Sequence, residues 1–164
     1  MVADLVTQQG SVTAADLQAI MKIADTTLLP YHRSAPDITI TGINIGSVAG
    51  GPVRATVAWS YKVEGGEYAA DAGEGDETTL PESLMVAGTF LVRVRSDLDY
   101  RPVITWSDSG KSALGLSAAF ANLPMSETYY LRPRMTSSIS CSDCYTANAG
   151  GRLPGRTAIS TATN

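Results

Sequence analysis

The sequence predicts an α+β domain in which an N-terminal helical region packs on a sheet of roughly four antiparallel strands. Apolar residues recur at helical spacing near the N-terminus, and apolar and polar residues alternate in several later segments. Helices that precede the strands, instead of alternating with them, are typical of this class. With 164 residues the chain can bury one sizeable core. We expect a single domain over residues 1–140, with 1–30 helical and 37–135 forming sheet and long loops.

The helical region contains one clear helix and the end of another. Thr13, followed three residues later by Asp16, is a helix start of the capping-box kind. One apolar face follows at Leu17, Ile20, Met21, Ala24 and Leu28. Pro30 ends this pattern. The apolar residues within 2–6 predict the tail of a preceding helix that breaks near Gly10.

Two strands are expected to follow and to form a hairpin. Within residues 38–45 the apolar positions change parity after Gly42, which predicts a β-bulge at that glycine. Residues 53–61 have the clearest alternation, which predicts one face toward the core and one toward water. The short connection between the two segments favours a hairpin.

Two further strands complete the expected sheet. Residues 90–95 alternate again in a third strand that can continue toward Tyr100, and residues 129–135 supply a fourth strand, at an edge because Pro133 cannot donate to a ladder. The glycine-rich, acidic segment 62–82 is interpreted as a long loop, and 102–126 as an irregular crossover. Beyond the sheet, 141–164 is expected to be a Cys-x-x-Cys segment and a flexible, extended tail.

Composition argues against several classes of protein. The chain is 44% apolar and 17% charged, with a net charge of −4. Arg93, Arg95, Arg132 and Arg134 are the only hint of a basic stripe, and their spacing is that of solvated sheet faces, so we expect no nucleic-acid partner. No apolar run reaches the length of a membrane span, and the first residues lack the features of a signal peptide. The chain is therefore expected to be soluble as it stands.

The residues indicate no catalytic centre. His32 is the only histidine, and it follows a helix stop, where a solvated turn residue is the simpler interpretation. No nucleophile elbow, phosphate-binding glycine loop or zincin helix is present. We expect the protein not to be an enzyme, and we expect no catalytic residue, metal or cofactor.

Cys141 and Cys144 are the only cysteines, and their spacing is compatible with several chemistries. A redox pair normally opens a helix after a strand, and a zinc site needs four ligands, whereas this pair lies in a Ser- and Thr-rich segment. We expect a structural disulfide. Free thiols, an intermolecular bridge, and metal or redox roles remain as alternatives.

The acidic segment 62–82 offers oxygen ligands for a cation. Seven of the sixteen acidic residues lie between Glu64 and Glu82. The candidate ligands are Asp71, Glu74, Asp76 and Glu77. Their order does not match an EF-hand, so a solvated loop is the favoured interpretation.

The strand at residues 129–135 supplies the candidate interface. Tyr129 and Tyr130 must point to opposite faces of one strand, so at least one is available for packing against another molecule. Arg132 and Arg134 follow on the same edge and complete the set of candidate interface residues.

Several segments of the chain resemble the TadE/TadG-like minor pseudopilins of tight-adherence (Flp) pilus systems. They are residues 12–21 (Val-Thr-Ala-Ala-Asp-Leu-Gln-Ala-Ile-Met), 26–31 (Thr-Thr-Leu-Leu-Pro-Tyr), 55–61 (Ala-Thr-Val-Ala-Trp-Ser-Tyr) and 126–134 (Ser-Glu-Thr-Tyr-Tyr-Leu-Arg-Pro-Arg). The resemblance extends over roughly residues 1–61 and 84–140.

The resemblance implies a pilin-like periplasmic head that acts through protein–protein contacts in pilus assembly. Its partners would be other pilus or filament subunits, including copies of itself, at the periplasmic or extracellular face of a bacterial inner membrane or in a surface filament. Family members are held in the membrane by a processed apolar N-terminal helix, so a membrane contact is expected only through such an anchor, which residues 1–164 do not include. Pilin-like heads often carry a C-terminal disulfide, which by analogy fits Cys141 and Cys144. The alternative interpretation is a self-assembling structural subunit of a filament or phage-like particle.

Overall fold

The computed structural model describes residues 2–26, 35–47, 51–100 and 123–145. Two helices, α1 (Val2–Thr7) and α2 (Ala14–Thr26), precede a five-stranded antiparallel sheet. Its strands are β2 (Asp37–Ser47), β3 (Val53–Glu64), β4 (Glu67–Ala70), β5 (Thr89–Tyr100) and β6 (Leu123–Leu131), in the spatial order β4-β3-β2-β5-β6. Two short strands, β1 (Ser11–Val12) and β7 (Ser140–Cys141), form a separate parallel pair. The predicted mixture of helix and antiparallel sheet is confirmed.

The capping prediction for α2 is confirmed. The Asp16 carboxylate accepts hydrogen bonds from the backbone N–H of Thr13 at 2.9 Å and from its hydroxyl at 2.7 Å. The Asp16 N–H in turn donates to the Thr13 hydroxyl at 3.2 Å. These reciprocal bonds satisfy donors that the first turn of a helix leaves unpaired. The predicted end of this helix, at residues 28–30, lies outside the described residues.

The fifth strand corrects the prediction that residues 62–82 form only a loop. β3 continues to Glu64, turns through Gly65 and Gly66, and returns as β4 in an antiparallel hairpin. Both glycines have positive φ, 58° and 87°, as a two-residue turn that matches the twist of its strands requires. The Gly-Gly pair between two alternating segments was a readable hairpin signal.

The bulge near Gly42 exists, but its extra residue lies on the neighbouring strand. Gly42 pairs with Trp59 and Ile43 pairs with Val57, so Ala58 of β3 has no partner on β2. Against β5 the register of β2 is unbroken. The apolar residues of β2 therefore change parity for another reason. The first half of the strand has its buried side chains on the helix side of the sheet, and the second half has them on the outer face.

The helix-side face of the sheet carries the main core. It is formed by Ala3, Val6, Val12, Leu17, Ile20, Met21, Ile38, Ile40, Trp59, Tyr61, Val63, Phe90, Val92, Val94, Ile139, Cys141 and Cys144. On the outer face a smaller cluster of Ile43, Ile45, Ala55 and Leu91 is covered by Leu80, Leu84 and Met85, around a 3₁₀ turn at Glu82–Leu84. The prediction that β3 turns a single face to the core is therefore wrong, because its odd-numbered residues change faces at the bulge.

Gly42 is required by close packing on the helix side. A Cβ at this position would lie 2.5 Å from Cε2 and 2.6 Å from Nε1 of Trp59, and 2.8 Å from Cζ of Phe90. The indole ring therefore occupies the space of the missing side chain. Its Nε1–H donates to the Ile139 carbonyl oxygen at 2.6 Å, which ties the C-terminal segment to the sheet.

The predicted boundary between residues 140 and 141 does not fit the described structure. Cys141 and Cys144 are fully buried in the main core, and β7 pairs with β1 next to the start of α2. Through residue 145 the chain is thus part of the same folded unit, because these side chains fill space that the helices and the sheet leave open. The predicted tail beyond residue 145 lies outside the described residues.

Candidate functional site

β6 is an outer strand of the sheet, as predicted, although its bounds differ from the prediction. It begins at Leu123, inside the segment that was interpreted as a crossover, and ends at Leu131, before Pro133. All nine of its residues pair with β5, from Leu123 opposite Tyr100 to Leu131 opposite Val92. Among the described residues no strand lies beyond it. The remainder of the predicted crossover lies outside the described residues.

The other side of the sheet ends in the four-residue strand β4 and a turn segment, so its outer edge is short. β4 pairs with one end of β3. Further along β3, the backbone N–H of Val57 donates to the Asp76 carbonyl oxygen at 2.8 Å, and the Val57 carbonyl oxygen accepts from the Gly75 N–H at 2.8 Å. The backbone N–H of Thr78 donates to the Ala55 carbonyl oxygen. An edge strand presents unpaired N–H and C=O groups that invite another strand. In the described part of the chain, β6 is the long strand that presents such an edge.

Tyr129 and Tyr130 lie on opposite faces of β6, as their spacing predicts. Tyr129 is opposite Val94 on the helix side and is 58% exposed, whereas Tyr130 is opposite Arg93 and is partly buried. The Tyr129 hydroxyl donates to the Glu127 carboxylate, and this hydrogen bond, together with the charge of Glu127, raises the pKa of Tyr129. At neutral pH the phenol is therefore protonated and held along the strand.

A shallow groove of about 350 Å³ runs beside Tyr129 on the helix side. It lies between β5 and β6 and the ends of the two helices, and Val2, Ala24, Leu98, Tyr129 and Leu131 are among its lining residues. The lining is mainly apolar, with Glu127 as its one charged residue. The groove makes the helix-side rim of β6 a surface on which an apolar side chain can pack.

The two interface arginines have different surroundings. Arg132 follows the end of β6 and is exposed. Arg134 binds α1 through two groups. Its backbone N–H donates to the Thr7 carbonyl oxygen at 2.9 Å, and its guanidinium contacts the Asp4 carboxylate at 2.8 Å. Of the two predicted contact residues, Arg134 therefore has a role inside the fold.

Cys141 and Cys144 are joined by a disulfide, with their Cα atoms 5.6 Å apart. Asp143, between them, accepts a hydrogen bond from the Ala14 N–H at 2.7 Å and so adds a second carboxylate to the start of α2. This segment, 139–144, is called the C-terminal clasp below. Potential ligand atoms of Cys141, Asp143 and Cys144 lie within 4.8 Å of one another, but while the disulfide is intact neither sulfur is a thiolate ligand.

The four predicted cation ligands are not brought together. Asp71 lies 3.5 Å from the Lys62 ammonium, and Asp76 accepts from the Gly73 N–H at 2.8 Å. Glu77 pairs with Arg54, while Glu74 lies near Tyr145, whose pKa is raised by burial and by the charge of Glu74. In the described ranges these four carboxylates form no common metal-binding group.

A cup of charged residues on the outer face was not predicted from the sequence. Its walls are Asp37, Thr39, Lys62, Glu64, Asp71, Arg95 and Asp97. Hydrogen bonds from Lys62 to Glu64 and from Arg95 to Asp97 lower the pKa values of both carboxylates. The sequence signal for this cup was the alternation of charged residues within neighbouring strands. Which of these residues come together depends on the register of the strands across the whole sheet. Two cations face four carboxylates, so the cup keeps a negative charge, and the predicted solvated position of Arg95 agrees with its exposure.

The remaining observations concern the single histidine, membrane-spanning helices and similarity to known proteins. His32 lies outside the described residues. Neither helix in the described part of the chain has the combined length and apolar character needed to cross a bilayer. Comparison with protein-family models, with curated proteins and with solved structures gave no match.

Proposed function

We propose that this chain is the non-catalytic head of a minor pseudopilin of the TadE/TadG-like kind, which acts in pilus assembly through protein–protein contacts. The observation that carries the proposal is the position of residues 126–131. They belong to the most distinctive segment of the family resemblance, and they lie on the outer strand β6, beyond which the described residues place no other strand, with Tyr129 exposed. A segment that lies at an open edge of a sheet can pair with another molecule, as expected of a protein that acts through protein–protein contacts.

Two further features support the proposal. The helices cover one face of an antiparallel sheet, which is the arrangement expected of a pilin-like head. The Cys141–Cys144 disulfide fits a protein that folds in an oxidising compartment such as the bacterial periplasm. The proposed partners are other pilus or filament subunits, and the proposed location is the outer side of the inner membrane or a surface filament.

The native gene product tests this proposal directly. An antibody raised against the 164-residue chain would recover that product from membrane and soluble fractions of its source cells, for N-terminal sequencing and intact mass. A membrane-bound form extended upstream by a processed apolar helix is the expected result. A soluble product beginning at Met1 would refute the pseudopilin assignment.

The exposed edge also favours the second candidate function, a self-assembling structural subunit of a filament or phage-like particle. Such a subunit forms open-ended, ordered polymers from this chain alone, which negative-stain electron microscopy detects. A pseudopilin head alone is expected to give species of small, fixed size. Polymers together with a soluble native product would make the structural subunit the better assignment.

A further inference from the structure

The outer strand β6 has the features of a pairing surface and few of the features that prevent pairing. It is nine residues long, and Glu127 is its only charged residue. Natural edge strands are commonly protected by lysines, by bulges or by short length. In the described part of the chain the protection is limited to Pro124, near the start of the strand, and Met125 and Tyr129 are 45% and 58% exposed.

The residues of β6 that offer backbone groups to a partner can be identified. Pro124 has no N–H to give to β5, so its backbone edge faces outward. The hairpin leads to the same result. Glu64 and Glu67 flank a two-residue turn and form a hydrogen-bonded backbone pair. Because hydrogen-bonded and non-hydrogen-bonded pairs alternate in an antiparallel sheet, the direction of the backbone groups can be followed from that pair across β3, β2 and β5 to β6. By both routes Ser126, Thr128 and Tyr130 direct their N–H and C=O groups away from the sheet.

We infer that β6 pairs with β6 of a second copy of this chain, antiparallel about a two-fold axis that passes between the two Thr128 residues. This register places Thr128 opposite Thr128 and Ser126 opposite Tyr130. The two sheets then join into one ten-stranded sheet with both helix layers on the same side. Because the axis closes the contact, assembly stops at two copies.

Side chains disfavour the register centred one residue earlier. Pairing centred one residue earlier would place Glu127 opposite Glu127, and like charges directly opposite each other are destabilising. It would also place Pro124, which has no donor, opposite Tyr130. In the inferred register Glu127 faces Tyr129, and Met125 of the second copy lies beside Leu131 at the apolar groove. The exposed methionine is thereby covered.

Charge complementarity favours a second copy as the partner. The end of β6 is followed by the exposed basic residue Arg132, while the start of β6 lies beside Asp99 of β5; Arg134 and Asp97 are already paired with Asp4 and Arg95 of the same chain. Two-fold pairing brings the basic end of one copy against the acidic end of the other. Arg132 continues on the outer face, opposite Pro124 of the second copy and on the same face as Asp99.

Sedimentation analysis of the 164-residue chain, up to about 1 mM, measures the association. We expect a monomer–dimer equilibrium with no larger species. Thr128→Glu should weaken dimerisation at least about tenfold, because two carboxylates then face each other across the axis. Within its own sheet the new carboxylate lies opposite Arg95, so the fold is retained. The matched Thr128→Val variant should dimerise as the parent does.

Disulfide trapping tests the register. With Thr128→Cys, two thiols lie opposite each other at a Cα separation of about 5.5 Å, and a mild oxidant such as copper phenanthroline removes two electrons and two protons to join them. With Ser126→Cys, the thiols of the two copies are about 13 Å apart and cannot join. The buried native pair, Cys141 and Cys144, is already joined.

Each outcome decides the inference. A dimer that Thr128→Glu weakens and Thr128→Cys traps supports it, with circular dichroism showing unchanged folding of both variants. A parent chain that is monomeric at every concentration overturns it. So does a dimer that Thr128→Glu leaves intact, or one trapped equally well by Ser126→Cys. Because this test concerns the edge alone, its result is independent of the membrane fractionation that tests the pseudopilin role.

Discussion

Replacing Gly42 with alanine tests how tightly the sheet packs under the Trp59 indole. The new Cβ would lie 2.5 Å from the ring, closer than side-chain carbons approach in folded proteins, so the ring must move. Overpacking of this kind costs about 1–3 kcal/mol. Movement of the indole also weakens its hydrogen bond to the Ile139 carbonyl oxygen, which contributes about 0.5–1.5 kcal/mol net.

Gly46→Ala is the matched control on the same strand. Nothing lies within 4 Å of a Cβ at Gly46, and the residue is exposed. Alanine there should leave stability unchanged or raise it by up to about 1 kcal/mol, because it restricts the unfolded chain. The same gain applies at Gly42, so the difference between the two variants isolates the clash and should be about 2–4 kcal/mol.

Urea unfolding followed by far-ultraviolet circular dichroism measures that difference, since the chain has two tryptophans and fluorescence does not isolate one. We expect a lower midpoint for Gly42→Ala with an unchanged slope. If the two variants agree within about 0.5 kcal/mol, the indole does not rest on Gly42 and the reasoning is wrong.

Further predictions concern the α2 cap, the hydrogen bond of Tyr129 and the disulfide. Thr13→Ala should cost about 1 kcal/mol of unfolding free energy in urea melts, because α2 loses its cap; a loss near zero would contradict the cap. Glu127→Gln should move the titration of Tyr129 downward in a difference spectrum at alkaline pH, since the carboxylate raises that pKa, and an unchanged spectrum would contradict the contact. Replacing Cys141 and Cys144 together with serine should cost at least about 2 kcal/mol, measured against the oxidised parent chain; equal stability would show that the clasp is dispensable.

The cap also makes stability depend on pH. Hydrogen bonds from Thr13 lower the pKa of Asp16 in the folded protein, so the cap stabilises the fold above the unfolded-state pKa of about 3.8. This contribution is lost as pH falls through the lower, folded-state pKa. The advantage of the parent chain over Asp16→Asn should therefore shrink below about pH 4.

Local signals in the sequence predicted the elements that depend on neighbouring residues. The Thr13–Asp16 cap needs only four consecutive residues, and the alternation from Phe90 to Val94 needs only one strand. The hairpin at Gly65 and Gly66 was equally local and was missed because the acidic composition around it favoured a loop.

Features that depend on distant contacts could not be predicted in the same way. Nothing in residues 53–61 shows that the strand changes faces at Ala58, since its alternation continues unbroken and only its pairing with β2 shifts. The burial of Cys141 and Cys144 depends on packing against core residues of the helices and the sheet, which come together only in the folded molecule. For the candidate site, the edge position of β6 was predicted from Pro133, which lies beyond the end of the strand; the proline that fits an edge position is Pro124, and the groove beside Tyr129 was not predictable.

The C-terminal clasp has a consequence for the order of folding. The hydrogen bond from Ala14 to Asp143 joins residues 129 positions apart, and β1 pairs in parallel with β7 over a similar separation. Contacts of such long range close large loops and slow the search for the native state. During synthesis α2 and the central strands leave the ribosome long before the segment that completes their packing. The apolar helix side of the sheet therefore stays partly uncovered until translation passes residue 144, and chaperone binding in that interval should depend on when the clasp becomes available.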